Sequence, residues 1–187
     1  MLNNIKQSLI LSGITIILFG IIYPLFIFAA GQLMPEKSEG TPVIASGRIV
    51  GFENIGQSFT EDKYFNGRPS AVGYDAASTG GSNKGNSNPE YLEEVKSRID
   101  TFLVHNPDVN KKDIPSELVT ASGSGIDPNI TTDAALIQIS RIAKVRGISE
   151  VRLEELVREY TEKKYLGLLG IEKVNLLKLN IALDKIN

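Results

Sequence analysis

The sequence predicts one N-terminal transmembrane α-helix followed by a single mixed α/β extracytoplasmic domain. Residues 7–35 carry no charged side chain, although 22% of the whole chain is charged. The remainder mixes short β-like apolar runs with apolar residues at helical spacing, and segments rich in Gly and Ser separate these patterns. The predicted boundaries are a cytoplasmic tail over residues 1–8, a transmembrane helix over 9–33, a stalk over 34–42 and the domain over 43–187.

The uncharged segment is long and apolar enough to span a bilayer. Residues 9–30 would form a helix about 33 Å long, and a hydrocarbon core is roughly 30 Å thick. The Leu, Ile and Phe side chains of this segment favour insertion by about 4–8 kcal/mol in total. A cleaved signal peptide is the alternative, but its apolar stretch would be about 7–15 residues long, and Phe28 is a poor fit to a cleavage site after Ala30. We therefore expect the segment to be retained as an anchor.

The orientation of this anchor depends on the basic residues near its ends. Lys6 and the amino terminus precede it, whereas Lys37 and Arg48 follow it, so the counts nearly balance. A short basic tail ahead of a long apolar segment favours a cytoplasmic amino terminus. The sequence therefore predicts a single-pass protein of the cell (inner) membrane with its domain outside the cytoplasm.

One face of the anchor carries small residues. Gly13, Gly20 and Gly31 lie within about 20° of one another around a regular α-helix. Such a stripe lets a second helix approach closely, and we expect this face to contact protein. Pro24, four residues after Gly20, is expected to kink the helix beside the stripe. The alternative is that glycine and proline are simply tolerated in a membrane helix.

The first half of the domain is predicted to be a hairpin, a loop and a helix. Apolar runs at residues 43–44 and 49–52, with glycine punctuation, indicate two short strands, and Tyr64-Phe65 is also predicted as β structure. Residues 78–88 have no large apolar side chain and are predicted to be a loop. Asn88 and Pro89 are typical of a helix start, and this helix should end near His105.

The second half is predicted to contain two helices and a final strand. Thr131 or Thr132 would cap a helix that ends at Gly147, and Ser149 would cap another that ends before Gly167. The apolar residues from 174 to 184 are predicted to form an irregular buried strand.

The inventory of reactive side chains excludes several function classes. The chain has no cysteine and one histidine, His105, so thiolate chemistry and histidine-rich or cysteine-rich metal sites are excluded. The net charge of −2 gives no electrostatic footprint for nucleic acid. No nucleophile elbow and no phosphate-binding P-loop is present, so we assign no catalytic residue, no metal ligand and no cofactor to this chain.

Two Gly/Ser-rich loops remain as candidate partner-contact surfaces, since each leads towards the start of a helix. The alternative is that their glycines serve backbone conformation and close packing. An anchored serine hydrolase using Ser82, Ser122 or Ser124, and a freestanding ligand-binding module, are two further hypotheses. The candidate contact residues are Gly80, Gly81, Ser82, Asn83, Ser87, Asn88, Ser122, Gly123, Ser124, Gly125 and Asp127.

Several short blocks of distinctive residues follow one another along the domain. They are Gly56-Gln57-Ser58-Phe59, Tyr64-Phe65-Asn66-Gly67-Arg68-Pro69-Ser70, Gly80-Gly81-Ser82-Asn83, Ser87-Asn88-Pro89, Ile114-Pro115, Leu118 through Pro128, Val174-Asn175 and Leu179 through Asp184. In this order, and together with the anchor, the blocks resemble the C-subunit family of the Kdp potassium-transporting P-type ATPase. Lys84 stands where that family usually has an apolar residue and Asn129 where it often has a histidine, so no family role is carried over to them.

The resemblance implies an accessory subunit, not an enzyme on its own, in an ATP-driven potassium import complex. Its partners would be a channel-like potassium-translocating subunit and a P-type ATP-hydrolysing subunit. The family is described as a catalytic chaperone that raises the ATP affinity of the pump subunit, which implies ATP as a ligand. The inventory shows no nucleotide cradle, so the sequence favours a role in assembly or in stabilising the channel-like subunit.

Overall fold

The computed structural model describes residues 2–33 and 40–186. The chain divides into two compact units, Met1–Thr41 and Pro42–Asn187. Most of the predicted stalk, residues 34–39, lies outside the described residues.

Among its described residues, the first unit contains one helix, Asn3–Gly31, that is long and apolar enough to cross a membrane, and an 18-residue stretch of it has a mean hydropathy of 2.4. It consists of α1 (Leu2–Ile17), a π-helical turn (Leu18–Ile22) and α2 (Tyr23–Gly31). The Tyr23 N–H donates to the Leu18 carbonyl, the wider spacing of a π-turn. Pro24 has no N–H to donate, and its ring crowds the carbonyl of Gly20, so the helix widens directly before the proline.

The second unit begins with the predicted hairpin, which is confirmed. Strands β1 (Pro42–Ala45) and β2 (Arg48–Phe52) pair antiparallel with an irregularity between Val43 and Ile44. Ser46 and Gly47 at its tip both have positive φ, at 51° and 76°. Two-residue turns with this geometry match the right-handed twist of a hairpin.

The prediction of β structure at Tyr64-Phe65 is wrong. From the end of β2 to Asn88 the chain forms turns, bends and irregular backbone. The N–H and carbonyl of Phe65 are hydrogen-bonded to the Asn180 side chain and not to a neighbouring strand. The predicted loop over residues 78–88 is confirmed within this segment.

The helix after this loop has its predicted ends. Helix α3 (Pro89–His105) starts behind Asn88, whose side chain accepts a hydrogen bond from the Tyr91 N–H, and Pro89 occupies the first turn. Proline is favoured there because its missing N–H would be unpaired in any case. Two short 3-10 turns, Lys111–Asp113 and Ser116–Leu118, follow.

The predicted helix up to Gly147 is broken in two. After β3 (Asn129–Thr131), helix α4 (Thr132–Leu136) is capped by the Thr131 side chain, and α5 (Ile139–Arg146) ends at Gly147 with a φ of 69°. Between them the Gln138 N–H bonds to the Ala135 carbonyl, so the turn tightens there. Helix α6 (Glu150–Glu159) is capped by Ser149 as predicted.

The predicted C-terminal strand over residues 174–184 is mostly wrong. Strand β5 covers only Lys173–Asn175, and the chain then forms helix α7 (Leu176–Leu183). Asn175 starts this helix by accepting a hydrogen bond from the Lys178 N–H. Because α7 is apolar on nearly all sides, its sequence lacks the one-sided periodicity that distinguishes a helix from a strand.

A three-stranded antiparallel sheet lies beside the core of the second unit. Its strand order is β3, β5, β4, where β4 is Thr161–Glu162. The buried apolar side chains come mainly from α4, α5, α6, α7 and β5, and Phe65 from the irregular segment joins them with no exposed surface. These side chains are Phe65, Leu118, Ile130, Ala134, Ala135, Ile139, Ile142, Ala143, Leu153, Leu156, Val157, Val174, Leu176, Leu179, Ala182 and Leu183.

Candidate functional site

Two buried amide side chains fix the backbone at Phe65 and Asn66. Asn180 on α7 accepts from the Phe65 N–H at 2.9 Å and donates to its carbonyl at 3.0 Å. Gln138 accepts from the Asn66 N–H at 2.8 Å and donates to the Asn66 carbonyl at 3.1 Å. Both amides are nearly inaccessible, at 1% and 0% exposure. Each therefore imitates a neighbouring β-strand, and Phe65 is held in the core without a sheet.

Two arginines extend this attachment towards Asp62. Arg141, which is 5% exposed, donates to the Asp62 carbonyl, to Asn106 Oδ1 at 3.0 Å and to Gln138 Oε1 at 2.7 Å. Burial lowers the pKa of Arg141, and the Asp62 carboxylate opposes that effect. Arg146 donates to the Lys63 carbonyl at 2.7 Å. Burying the charge of Arg141 costs free energy unless its N–H groups are hydrogen-bonded, and the acceptors on Asp62, Asn106 and Gln138 meet that need.

The two Gly/Ser-rich loops predicted as contact surfaces bind each other. The Gly80 N–H donates to the Ser124 carbonyl at 2.8 Å, and the Ser70 hydroxyl donates to the Gly125 carbonyl at 2.6 Å. Ser122 is 3% exposed, and its hydroxyl accepts from the Gly125 N–H at 2.9 Å. One backbone hydrogen bond, from Gly80 to Ser124, therefore joins the two loops, and Ser70 holds the second loop from outside.

Close packing explains the glycines at this junction. Gly125 has a φ of +72°, and a Cβ there would lie 2.4 Å from Val72 Cγ2 and 2.7 Å from the Gly80 carbonyl oxygen. A Cβ on Gly81 would lie 3.1 Å from the Gly123 carbonyl oxygen. Gly123 itself has open space around its Cβ position. Gly81 and Gly125 therefore serve the contact between the two loops, whereas Gly123 does not.

An ion pair between Arg68 and Asp127 lies beside this junction. Arg68 Nη1 lies 3.1 Å from Asp127 Oδ2, and Asp127 Oδ1 accepts from the Asn129 N–H at 3.0 Å. The Tyr74 hydroxyl donates to the Arg68 carbonyl. Burial, followed by the charge of Asp127, raises the pKa of Tyr74 above its ordinary value.

The other residues predicted for the contact loops lie towards α3. Asn83 has a φ of +54°, Asn88 is the cap of α3, and Ser82 and Ser87 lie in the irregular backbone between Gly81 and that cap. Lys84 lies 3.5 Å from Glu90 and 3.9 Å from Glu94. Lys84 thus links the loop to the first turns of α3 by ion pairs.

The geometry of a serine hydrolase is not assembled among the described residues. His105 Nδ1 lies 2.8 Å from Asp62 Oδ1, and the structure joins His105 by no hydrogen bond to Ser82, Ser122 or Ser124. The Ser122 and Ser124 hydroxyls accept from backbone N–H groups of their own loop. A nucleophile needs a base within hydrogen-bond reach, which none of these serines has here.

An open cavity of about 400 Å³ lies beside His105, between α3 and residues 59–69. Its lining includes Phe59, Phe102, Arg98 and Thr101. Arg98 is engaged with Glu94 and the Val119 carbonyl. Within residues 2–33 and 40–186, no three His, Asp or Glu side chains converge as a metal site would require.

In the anchor, the small residues lie on an exposed helix. A Cβ on Gly13 would meet no atom within 4 Å, and one on Gly20 would meet only Ile16 Cγ2 at 4.0 Å. Gly20 lies inside the π-turn and Gly31 beyond it. Since the extra residue in a π-turn rotates everything that follows, the angular alignment of Gly31 with Gly13 is not that of a regular α-helix.

The residues that hold the irregular segment escaped the sequence reasoning. Gln138 precedes α5, Arg141 lies within α5 and Asn180 lies within the apolar helix α7, and all three side chains are buried. Buried polar side chains are nearly always hydrogen-bonded, but the sequence shows neither their burial nor their distant partners.

Gly125→Ala should loosen the junction of the two loops, because the methyl group would clash and the backbone has positive φ. We expect a loss of about 2 kcal/mol or more in the free energy of unfolding. Gly123→Ala is the matched control and should change it by less than about 0.5 kcal/mol. Urea unfolding of the full chain in detergent, followed by circular dichroism, measures both; equal effects of the two variants would contradict the packing described.

Comparison with known proteins places this architecture in a family. The family model described as "K+-transporting ATPase, c chain" matches residues 5–185. A potassium-transporting ATPase KdpC subunit from Bacteroides thetaiotaomicron is 47% identical, and the match covers 98% of this chain and 99% of the relative. The KdpC subunit from Flavobacterium psychrophilum is also 47% identical, over 99% of this chain and all of the relative.

A relative with lower sequence identity also matches over nearly its whole length. The KdpC subunit from Caldanaerobacter subterraneus is 43% identical over 97% of this chain and 94% of the relative. Anchor and domain are therefore both covered by the family match. The chain belongs to the KdpC family, the c chain of the K+-transporting ATPase.

Proposed function

We propose that this chain is a non-catalytic accessory subunit that supports assembly and activity of an ATP-driven potassium import complex. The observation that carries the proposal is that the most distinctive polar groups of the domain are engaged in internal contacts. Asn180, Gln138 and Arg141 bind the irregular segment, and the Gly/Ser loops bind each other. A domain arranged in this way offers a fixed surface to a partner, and its described residues assemble no catalytic group of the serine-hydrolase kind.

The proposed partners are a channel-like potassium-translocating subunit and a P-type ATP-hydrolysing subunit. KdpC relatives are named as subunits of a potassium-transporting ATPase, which supports membership of such a complex. The anchor would contact a transmembrane helix of a partner through the face that carries Gly13 and Gly20. Close approach at small residues is a common basis for helix association in a bilayer.

The proposed placement of the domain is outside the cytoplasm, with the anchor in the cell (inner) membrane. The short tail with Lys6 supports a cytoplasmic amino terminus. A domain on that side cannot meet cytoplasmic ATP, and its Gly/Ser loops are closed on each other. The proposal therefore assigns no nucleotide to this chain and places its action on the channel-like subunit.

Sidedness can be measured directly, because the natural chain has no cysteine. We expect Val104→Cys, at a side chain that is 78% exposed on α3, to react with a membrane-impermeant maleimide in intact cells. Asn3→Cys, in the amino-terminal tail, is the matched control and should react only after permeabilisation. Labelling in the reverse order would place the domain in the cytoplasm and refute this part of the proposal.

Gly20→Leu should weaken attachment to the complex, since a large side chain would hold the neighbouring helix away. We expect the variant to be lost from the detergent-solubilised potassium-transporting ATPase during affinity purification through the ATP-hydrolysing subunit. Ile22→Leu, at a nearby position that is apolar already, should co-purify as the wild type does. Undiminished co-purification of Gly20→Leu would show that this face does not contact a partner.

A further inference from the structure

The β1–β2 hairpin leaves one apolar face exposed. We call Pro42, Ile44, Ile49 and Phe52 the hairpin face. In the strand register Pro42 lies opposite Phe52, and Ile44 lies opposite Ile49, so the four side chains are on the same side of the hairpin. All four residues are exposed, and Ile44 and Ile49 reach 64% and 59%. Four neighbouring apolar side chains form a patch, whereas single exposed apolar residues are ordinary.

The opposite side of the hairpin is attached to the domain. Gln57 Nε2 donates to the Val50 carbonyl at 2.9 Å. A Cβ on Gly51 would lie 2.8 Å from Leu177 Cδ2, so β2 lies against α7. Val43 and Val50, which alternate with the exposed residues, are half-buried. The hairpin face is therefore held away from the domain by a fixed base.

The charges around the hairpin face cancel. The chain from residue 34 to residue 52 carries two acidic and two basic side chains, which are those of Glu36, Lys37, Glu39 and Arg48. Glu53, directly after β2, is paired with Lys178. Within the hairpin Arg48 is the only charged residue, and it is exposed next to the tip. A surface that binds this face is therefore selected by its apolar character and not by its net charge.

The place of the hairpin in the chain brings a bilayer within its reach. Eight residues, 34–41, lie between Leu33, the last described residue of the anchor, and Pro42, the first residue of β1. A chain of this length extends at most about 32 Å from Leu33 to Pro42. A segment on so short a tether meets the surface to which it is tied at an effective concentration on the order of millimolar. A weak apolar affinity is therefore enough for contact.

We propose that the hairpin face lies on the surface of the bilayer that holds the anchor. Its isoleucines enter the boundary between the headgroups and the acyl chains, and Arg48 binds lipid phosphates. A lipid surface is favoured over a protein partner because the anchor by itself places lipid within reach of the hairpin. The inference needs the anchor to span the membrane, but it depends neither on the side of the domain nor on a partner subunit, so it goes beyond the proposed function.

Fluorescence quenching by lipid in nanodiscs tests this contact. Because the natural chain has no cysteine, a nitrobenzoxadiazole maleimide on Ile44→Cys labels the full chain at the hairpin face alone. The discs contain phosphatidylcholine, a fraction of which carries a nitroxide near the top of an acyl chain. We expect quenching at Ile44 at least about threefold stronger than at Val104→Cys, an exposed position on α3.

A second substitution separates the apolar contact from simple proximity to lipid. Ile49→Asp, added to the labelled Ile44→Cys chain, should lower the quenching towards that at Val104, because a carboxylate opposes entry into the apolar boundary. Ile49 is exposed, so the substitution removes no buried contact. Val151→Asp, at an exposed position on α6, is the matched control and should leave the quenching at Ile44 unchanged.

Three outcomes overturn the inference. Equal quenching at Ile44 and Val104 would show that the hairpin face does not meet the bilayer. Blue-shifted emission at Ile44 without quenching would show that protein covers the face. The same label on Leu33→Cys, at the end of the anchor, should be quenched, and its failure would show that the anchor is not inserted. If the label on Leu33 is quenched and either of the first two outcomes is seen, the lipid contact fails while the proposed subunit role stands.

Discussion

The domain depends on the attachment of an irregular chain segment to the core by buried side chains. Phe65 fills the centre of the core, yet it comes from a stretch with no helix or strand of its own. A buried backbone N–H or carbonyl without a partner costs roughly 1–3 kcal/mol. Asn180 removes that cost for the two buried groups of Phe65. Gln138, Arg141 and Arg146 pair the partly buried backbone groups of the neighbouring residues Asn66, Asp62 and Lys63.

Internal contacts also engage side chains that could otherwise serve chemistry. The side chains that look reactive in the sequence hold the backbone, as Ser122 does, or pair with a neighbour, as His105 does with Asp62. Gly81 and Gly125 allow the two loops to pack closely, since a Cβ on either would crowd the backbone of the other loop. The anchor helix, by contrast, is exposed along its apolar length within the described residues.

Local sequence signals predicted the local structure well. The caps at Asn88, Thr131 and Ser149, the end at Gly147 and the hairpin before Phe52 follow from residue types a few positions apart. The failures involve distant partners. Tyr64-Phe65 has the composition of a strand, but side chains over a hundred positions away bind it. Helix α7 is buried on most of its faces, so its apolar residues do not show the helical repeat of 3.6 residues. Both contact loops were correctly predicted as loops. Their contact with each other could not be predicted, because it joins segments about forty positions apart that only the folded domain brings together.

Hydrogen exchange of the backbone amides tests most directly whether side chains hold this segment as a sheet would. The Phe65 and Asn66 amides should exchange as slowly as those within α7, despite lying in irregular backbone, because Asn180 and Gln138 accept from them. Exchange of these two amides as fast as that of residues 82–87 would contradict the attachment on which the description of the domain depends.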